Sequence, residues 1–405
     1  MNDRQWPTVA ALGSAQTLAW ASSYYLPAML ATPMARELGV TTPTVFATFS
    51  LALVISAMLG PLAGRLIDRW GGRPVLIGTN LVFAAGLGLL ATAQELAGLV
   101  AGWLVIGVGM GFGLYEAAFS ALVRLYGDQS RRAITGITLI AGFASTVGWP
   151  LTTLLEAQLG WRGACLAWAA LHLLLGLPLN ALLPRASTAS WQPAAHPAAE
   201  VSPATGPRHP KQRQTGRAAM LLAGAFAVTW FTSTAMAAHL PRLLQAAGVG
   251  LAGAVALGAL VGPAQVAGRL LEFGVLSRLH PLLSARLAAM AHPVGAVTLL
   301  AFGAPLAPAF ALLHGAGNGI LTIAKGTLPL ALFGTAGYGA RLGLLMAPSR
   351  FAQALAPPLF GLCLDHWGAN ALWVSSVLGL LAFAALMALP RSLPGTAARA
   401  PARVN

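Results

Sequence analysis

The feature that most restricts this chain is a succession of apolar runs, each about 20 residues or longer, separated by short polar clusters along nearly all of its 405 residues. About 20 apolar residues in a helix cross the hydrocarbon core of a bilayer, because a helix satisfies its own backbone groups where no water can. The runs fall at 8–33, 43–64, 74–94, 98–126, 133–157 and 162–183, and then at 217–241, 249–275, 283–304, 306–333, 337–362 and 370–390. The pattern predicts an all-α membrane protein with about twelve transmembrane helices. Only 8% of the residues are charged, against roughly 25% in a soluble domain, and the mean hydropathy is +0.72. Little chain is left over for a soluble domain.

Between the two sets of six lies a Pro-, Ala- and Ser-rich stretch, 184–216, too polar for the bilayer and of linker composition. It divides the chain into 1–183 and 217–405, the latter ending in a short tail. Most of the 24 basic residues, among them Arg69, Arg73, Arg131, Arg132 and Arg217, collect on one side if both termini and the linker share it. The positive-inside bias makes that side cytoplasmic. The net charge of +14 is spread over loops and builds no basic surface interleaved with aromatic residues, so no nucleic acid is expected. The first 15 residues have no signal-peptide pattern and lead into a retained helix. Cys165 and Cys363 lie in apolar segments of different halves, without metal or disulfide spacing, and read as inert.

The halves repeat each other at an offset of about 204 to 210 residues, the mark of internal duplication. Trp20 answers to Trp230, Pro33 to Pro241, and Gly39-Val40 to Gly248-Val249. The tetrapeptide AGRL at 63–66 recurs at 267–270, and GxGxG at Gly109, Gly111 and Gly113 recurs at Gly315, Gly317 and Gly319.

Between the second and third runs the chain reads GRLIDRWGGRP, from Gly64 to Pro74. Gly64 permits a close helix approach, Gly71 a tight turn, and Asp68 a contact with a basic side chain or a helix N-terminus. This segment resembles the signature loop of the major facilitator superfamily at Gly64, Asp68, Arg69, Gly71 and Arg73, with Pro74 where that signature has a second basic residue. A worn copy, AGRLLEFG from Ala267 to Gly274, has Glu272 where the first half has Asp68. The resemblance implies two pseudo-symmetric six-helix bundles around a central cavity lined by the first, fourth, seventh and tenth helices, with these motifs, Arg269 included, as a gate on the cytoplasmic side. The fifth helix reads GFASTVGWP from Gly142 to Pro150 and lacks the glycine-proline pattern of drug:proton exporters, whereas PLTTLLEAQLGWRG from Pro150 loosely resembles the monocarboxylate-porter branch.

Ionisable residues inside a membrane are costly, so each is a candidate for function. Glu116 and Lys325 fall at similar depth on equivalent helices of the two halves and are expected to pair across the cavity, and Arg350 falls near the midplane. On the tenth helix His314, Asn318, Thr322 and Lys325 lie within about 80° of one another, a polar stripe that suggests a wet surface. The first helix carries Gln16, Trp20, Ser23 and Tyr24 in a similar stripe. The alternatives are structural: Glu116 as a buried ion-paired strut, His314 as a histidine satisfied between helices, and the glycines as close packing.

Three of the four conspicuous charges, Arg269, Lys325 and Arg350, are positive. An organic anion such as a monocarboxylate is therefore the expected solute, with Glu116 the partner for a coupling proton. Proton-driven export of drugs is the alternative. No GxxxxGK[ST], HExxH or GxSxG occurs, so neither an enzyme nor a bound cofactor is expected, and a gradient is the expected driving force. A channel or sensor fits the duplicated plan with its gate less well. Arg outnumbers Lys 22 to 2 in an Ala- and Gly-rich chain, a bias of G+C-rich bacteria, which points to a bacterial inner membrane.

Overall fold

The computed structural model describes residues 5–185 and 210–391. Most of the expected linker, 186–209, and the tail from 392 lie outside the described residues.

Among the described residues, eight continuous helical stretches are long and apolar enough to cross a membrane. The 86-residue stretch from Leu96 turns at Gly127 and at Gly160, the 50-residue stretch from Tyr338 turns at Gly368, and a broken helix precedes Thr42, which makes twelve crossings. The first crossing is α1 (Trp6–Ala21) and α2 (Leu26–Glu37). Expected as one helix, it breaks at 22–25, where the Ser22 and Ser23 hydroxyls bond back to the carbonyls of Leu18 and Ala19, a pattern that bends helices. Next come α3 (Thr42–Trp70) and α4 (Gly72–Thr92). The fourth crossing is split into α5 (Leu96–Gly113) and α6 (Tyr115–Tyr126) at Leu114. The fifth and sixth are α7 (Ser130–Ala141), α8 (Ala144–Leu171) and α9 (Leu177–Ala181). Gly160, at φ 69°, reverses the chain within α8, a conformation that a side chain would strain.

The second half is plainer: α10 (Pro210–Ala246), α11 (Leu251–Gly274), α12 (Pro281–Phe302), α13 (Ala307–Phe333), α14 (Tyr338–Trp367) and α15 (Ala371–Met387). Here α10 begins inside the range read as linker, because nothing between Lys211 and Thr215 interrupts a helix. The duplication shows in the turns: Gly39 and Gly248, paired by the repeat, both have positive φ and follow the corresponding helices.

The segment expected as the loop after the second helix is mostly helix. Residues Gly64 to Trp70 are the last turns of α3, and Gly71, at φ 83°, alone makes the turn into α4. That extension carries Gly64 against α14, where a Cβ would overlap the carbonyl of Gly339; one turn away a Cβ on Gly343 would overlap the carbonyl of Gly60. These small residues let two helix backbones touch where larger side chains would hold them apart.

The halves meet unevenly. At the end that carries Arg69, Arg73, Arg131 and Arg132, hereafter the basic end, α3 packs on α14, and α7 packs on both α11 and α13. At the opposite end Glu37 pairs with Arg162 and Arg242 with Asp365, each pair within its own half. The cross-half contacts named here therefore gather at the basic end, and the ion pairs at the other end stay within each half.

Candidate solute and coupling site

Where the halves meet, α6 contributes a carboxylate and α13 and α14 each contribute a cation. Lys325 donates from Nζ to Glu116 Oε1 at 3.0 Å, and Arg350 donates from Nη2 to Glu116 Oε2 at 2.9 Å. The side chains of Lys325, Arg350 and Glu116 are 1%, 6% and 14% exposed. The break before α6 aims Glu116 from the first turn of a new helix, where the amide dipoles favour a carboxylate. The pairing of Glu116 with Lys325 is as expected from their matching depth; Arg350 as second partner of the same carboxylate is a further result of the fold.

Around the three charges stands an aromatic wall. Lys325 Nζ lies 4.4 Å from the ring centroid of Trp230, 5.3 Å from Tyr115 and 5.9 Å from Trp20, and the Arg350 guanidinium is also 5.9 Å from Trp20. Such faces stabilise a desolvated cation by ~2 kcal/mol. Trp20 and Trp230, paired by the internal repeat, thus flank one ammonium from the two halves. Arg350 Nη1 donates to Gln353 Oε1 at 3.3 Å, and Gln353 Nε2 donates to the Tyr24 hydroxyl at 3.4 Å, which ties Tyr24 to the same network. Tyr115, Trp230 and Gln353 were not among the residues expected here; the repeat pairing of Trp230 and the one-turn spacing of Gln353 from Arg350 were the available signals.

Arg269, expected as a gate residue, lies deeper. It is 5% exposed, donates from Nη1 to the Thr138 carbonyl at 3.1 Å and leaves Nε without a partner. Among the described residues it forms no ion pair. Lys325 and Arg350 thus share one carboxylate, and Arg269 is a third buried cation that does not touch it.

Other expectations are corrected. His314 does not join this site: its Nδ1 is 3.0 Å from Nδ1 of His292 on α12, whose Nε2 is 3.0 Å from the Ser375 hydroxyl on α15, so it is taken up inside the second half. Asn318 is half-buried two turns from Lys325, with no side-chain hydrogen bond among the described residues. Gln16 donates to the Gly113 carbonyl at 2.6 Å and so holds α1 against the break in the fourth crossing rather than facing a cavity.

At the basic end, Asp68 accepts from the backbone N–H groups of Gly339 at 3.0 Å and Ala340 at 2.9 Å, the first turn of α14. The second-half counterpart uses a side chain: Arg131 Nη2 donates to Glu272 Oε1 at 3.0 Å, and Arg131 Nη1 to the Leu279 carbonyl at 2.8 Å. Each acidic residue thus reaches across to the first turn of a helix of the other half. Arg69 lies over the Trp70 ring at 6.0 Å and, like Arg73, forms no ion pair among the described residues.

A profile of the Major Facilitator Superfamily matches residues 12–312. The chain belongs to that superfamily. It is similar to human monocarboxylate transporter 11, 30% identical over 85% of this chain and 74% of that protein. In structure it is similar to the E. coli fucose:proton symporter FucP, with a TM-score of 0.69 at 15% identity over 94% of this chain and 97% of that one. It is also similar to the human organic anion transporter MFSD10 (TETRAN), with a TM-score of 0.67 at 19% identity over 95% and 100%. This superfamily protein is a multi-pass membrane transporter of small solutes, and not an enzyme.

Proposed function

We propose that this transporter carries an organic monocarboxylate, coupled to a proton, by alternating access between two six-helix bodies, 1–183 and 217–405, joined by the linker 184–216. The observation that supports this reading is the charge imbalance at the centre: Lys325 and Arg350 against Glu116 alone. Buried charges are tolerated when compensated, and an anionic solute supplies the missing charge through short charge-assisted hydrogen bonds. Similarity to a monocarboxylate transporter agrees with it. Lipophilic cations, the substrates of the rival drug-export reading, would need a free carboxylate, whereas Glu116 is already shared by two cations.

Proton coupling follows from the same geometry. While ionised, Glu116 occupies both Lys325 and Arg350; when protonated it releases them, and the solute carboxylate takes its place. A proton and an anion then move together with little net charge in the low-dielectric centre. By the positive-inside bias the basic end faces the cytoplasm of a bacterial inner membrane. The conformer with that end closed is then outward-facing, latched by Asp68 and by Arg131 with Glu272.

The test is thermal stabilisation of the purified transporter by propionate and lactate, and by a lipophilic cation such as tetraphenylphosphonium. A ligand that binds the folded state raises stability by mass action. Stabilisation by the carboxylates that is lost in Arg350→Ala supports the proposal. Stabilisation by the cation alone, unaffected by that change, overturns it.

A further inference from the structure

A carboxylate explains one end of the solute; the surroundings of Arg269 indicate the other. Resting on the anion reading above, we propose that the site selects carboxylates that bear an aromatic ring over aliphatic ones, with the ring held against Tyr25 and Trp149. Arg269 is fixed in place: its guanidinium lies against Gly142, where a Cβ would overlap it, and its single hydrogen bond goes to the Thr138 carbonyl. With Nε unpartnered and 5% of the residue exposed, it is a buried cation with capacity for an anion.

Tyr25 stands at the N-terminus of α2. Its ring is 6.2 Å from Trp20, 5.5 Å from Tyr24 at 85°, and 5.9 Å from Trp149 at 87°. These rings form a continuous row leading away from the cations, all on the first half. Burial falls along the row: Trp20 is 4% exposed, Tyr24 and Tyr25 are half-buried, and Trp149 is 42% exposed. The Tyr25 hydroxyl makes no hydrogen bond among the described residues. Trp149 also lines a shallow, open apolar depression with Met29, Thr146, Pro150, Thr153 and Leu154.

In the second half, α11 carries no aromatic residue before Phe273 and is rich in Ala, Gly and Val. Edge-to-face contact with Tyr25 and Trp149 would favour an aromatic ring over a saturated ring of similar size, because the ring quadrupoles attract beyond the area buried. The carboxylate would be held at the cations and the ring one step outward along the row.

The experiment compares 3-phenylpropionate, 3-cyclohexylpropionate and propionate as stabilisers of the full-length transporter. The expected result is half-saturation by the phenyl compound at roughly one tenth the concentration needed for the cyclohexyl compound. Tyr25→Leu should bring that ratio close to one, Trp149→Leu should reduce it, and Tyr25→Phe should preserve it. Because Trp149 is partly exposed, its variant tests the proposal even if Tyr25→Leu fails to fold. Equal or tighter binding of the cyclohexyl compound in the native protein overturns the proposal, as does a phenyl preference untouched by both Leu variants. Arg350-dependent binding of propionate without any ring preference overturns this proposal alone, whereas no stabilisation by any of the three overturns the anion reading with it.

Discussion

Lys325 and Glu116 stand on matching helices of a duplicated fold, 3.0 Å apart, and close the space between the halves with one ion pair. The second oxygen of Glu116 holds Arg350 at 2.9 Å. A single carboxylate therefore joins α6 to both α13 and α14.

Glu116→Gln leaves two cations adjacent without their counter-charge. Breaking a buried pair from one side costs ~3 to 5 kcal/mol, so thermal unfolding without solute should occur at a clearly lower temperature, and a bound carboxylate should recover part of the loss. Uptake into proteoliposomes should lose its dependence on a pH gradient while exchange of solute persists. Gradient-driven accumulation by this variant would remove Glu116 from proton coupling.

Lys325→Met has the opposite profile. It leaves Glu116 paired one to one with Arg350 and puts an apolar chain among Trp20, Tyr115 and Trp230. Replacing a buried charge that retains no orphan partner is close to neutral for stability, so the unfolding temperature should stay near that of the native protein. Carboxylate affinity should fall at least tenfold in a binding titration, about 1.4 kcal/mol. Unchanged affinity would show that Lys325 is only a strut.

Asp68→Asn removes the charge from the cap on α14. A charged acceptor at a helix N-terminus is worth ~1 to 2 kcal/mol, so the balance of conformers should move by about tenfold toward opening at the basic end. Spin labels at Leu38→Cys and Ala247→Cys, in turns at the opposite end of each half, should report a shorter separation. Gly64→Val should act in the same direction, since its side chain overlaps the Gly339 carbonyl. A distance distribution identical to the native one would mean that Asp68 does not latch this state.

His314→Phe tests the relocation of His314 into the second half. The change leaves Nδ1 of His292 unpaired in a buried place, a loss of roughly 1 to 3 kcal/mol, seen as a lower unfolding temperature. Half-saturation by carboxylates should not move. A large fall in affinity without loss of stability would put His314 back at the solute.

What the sequence decided by itself is the part governed by period, length and repetition. Apolar runs long enough for a bilayer fix the spans, because an unpaired backbone group has no alternative partner in lipid. The duplication places Glu116 and Lys325 on equivalent helices at similar depth, and Trp20 and Trp230 follow by the same symmetry. The segment from Gly64 to Arg73 announces the family through residues that need no distant partner to be recognised. The tertiary structure alone decided how those parts are used. It chose Arg350 as second partner of Glu116, directed His314 toward His292 although it shares the stripe of Lys325, sank Arg269 beside Gly142, and drew the halves together at one end only. Such choices depend on the rotation and tilt of helices packed against one another. An apolar helix in an apolar solvent carries almost no amphipathic signal from which that rotation can be read.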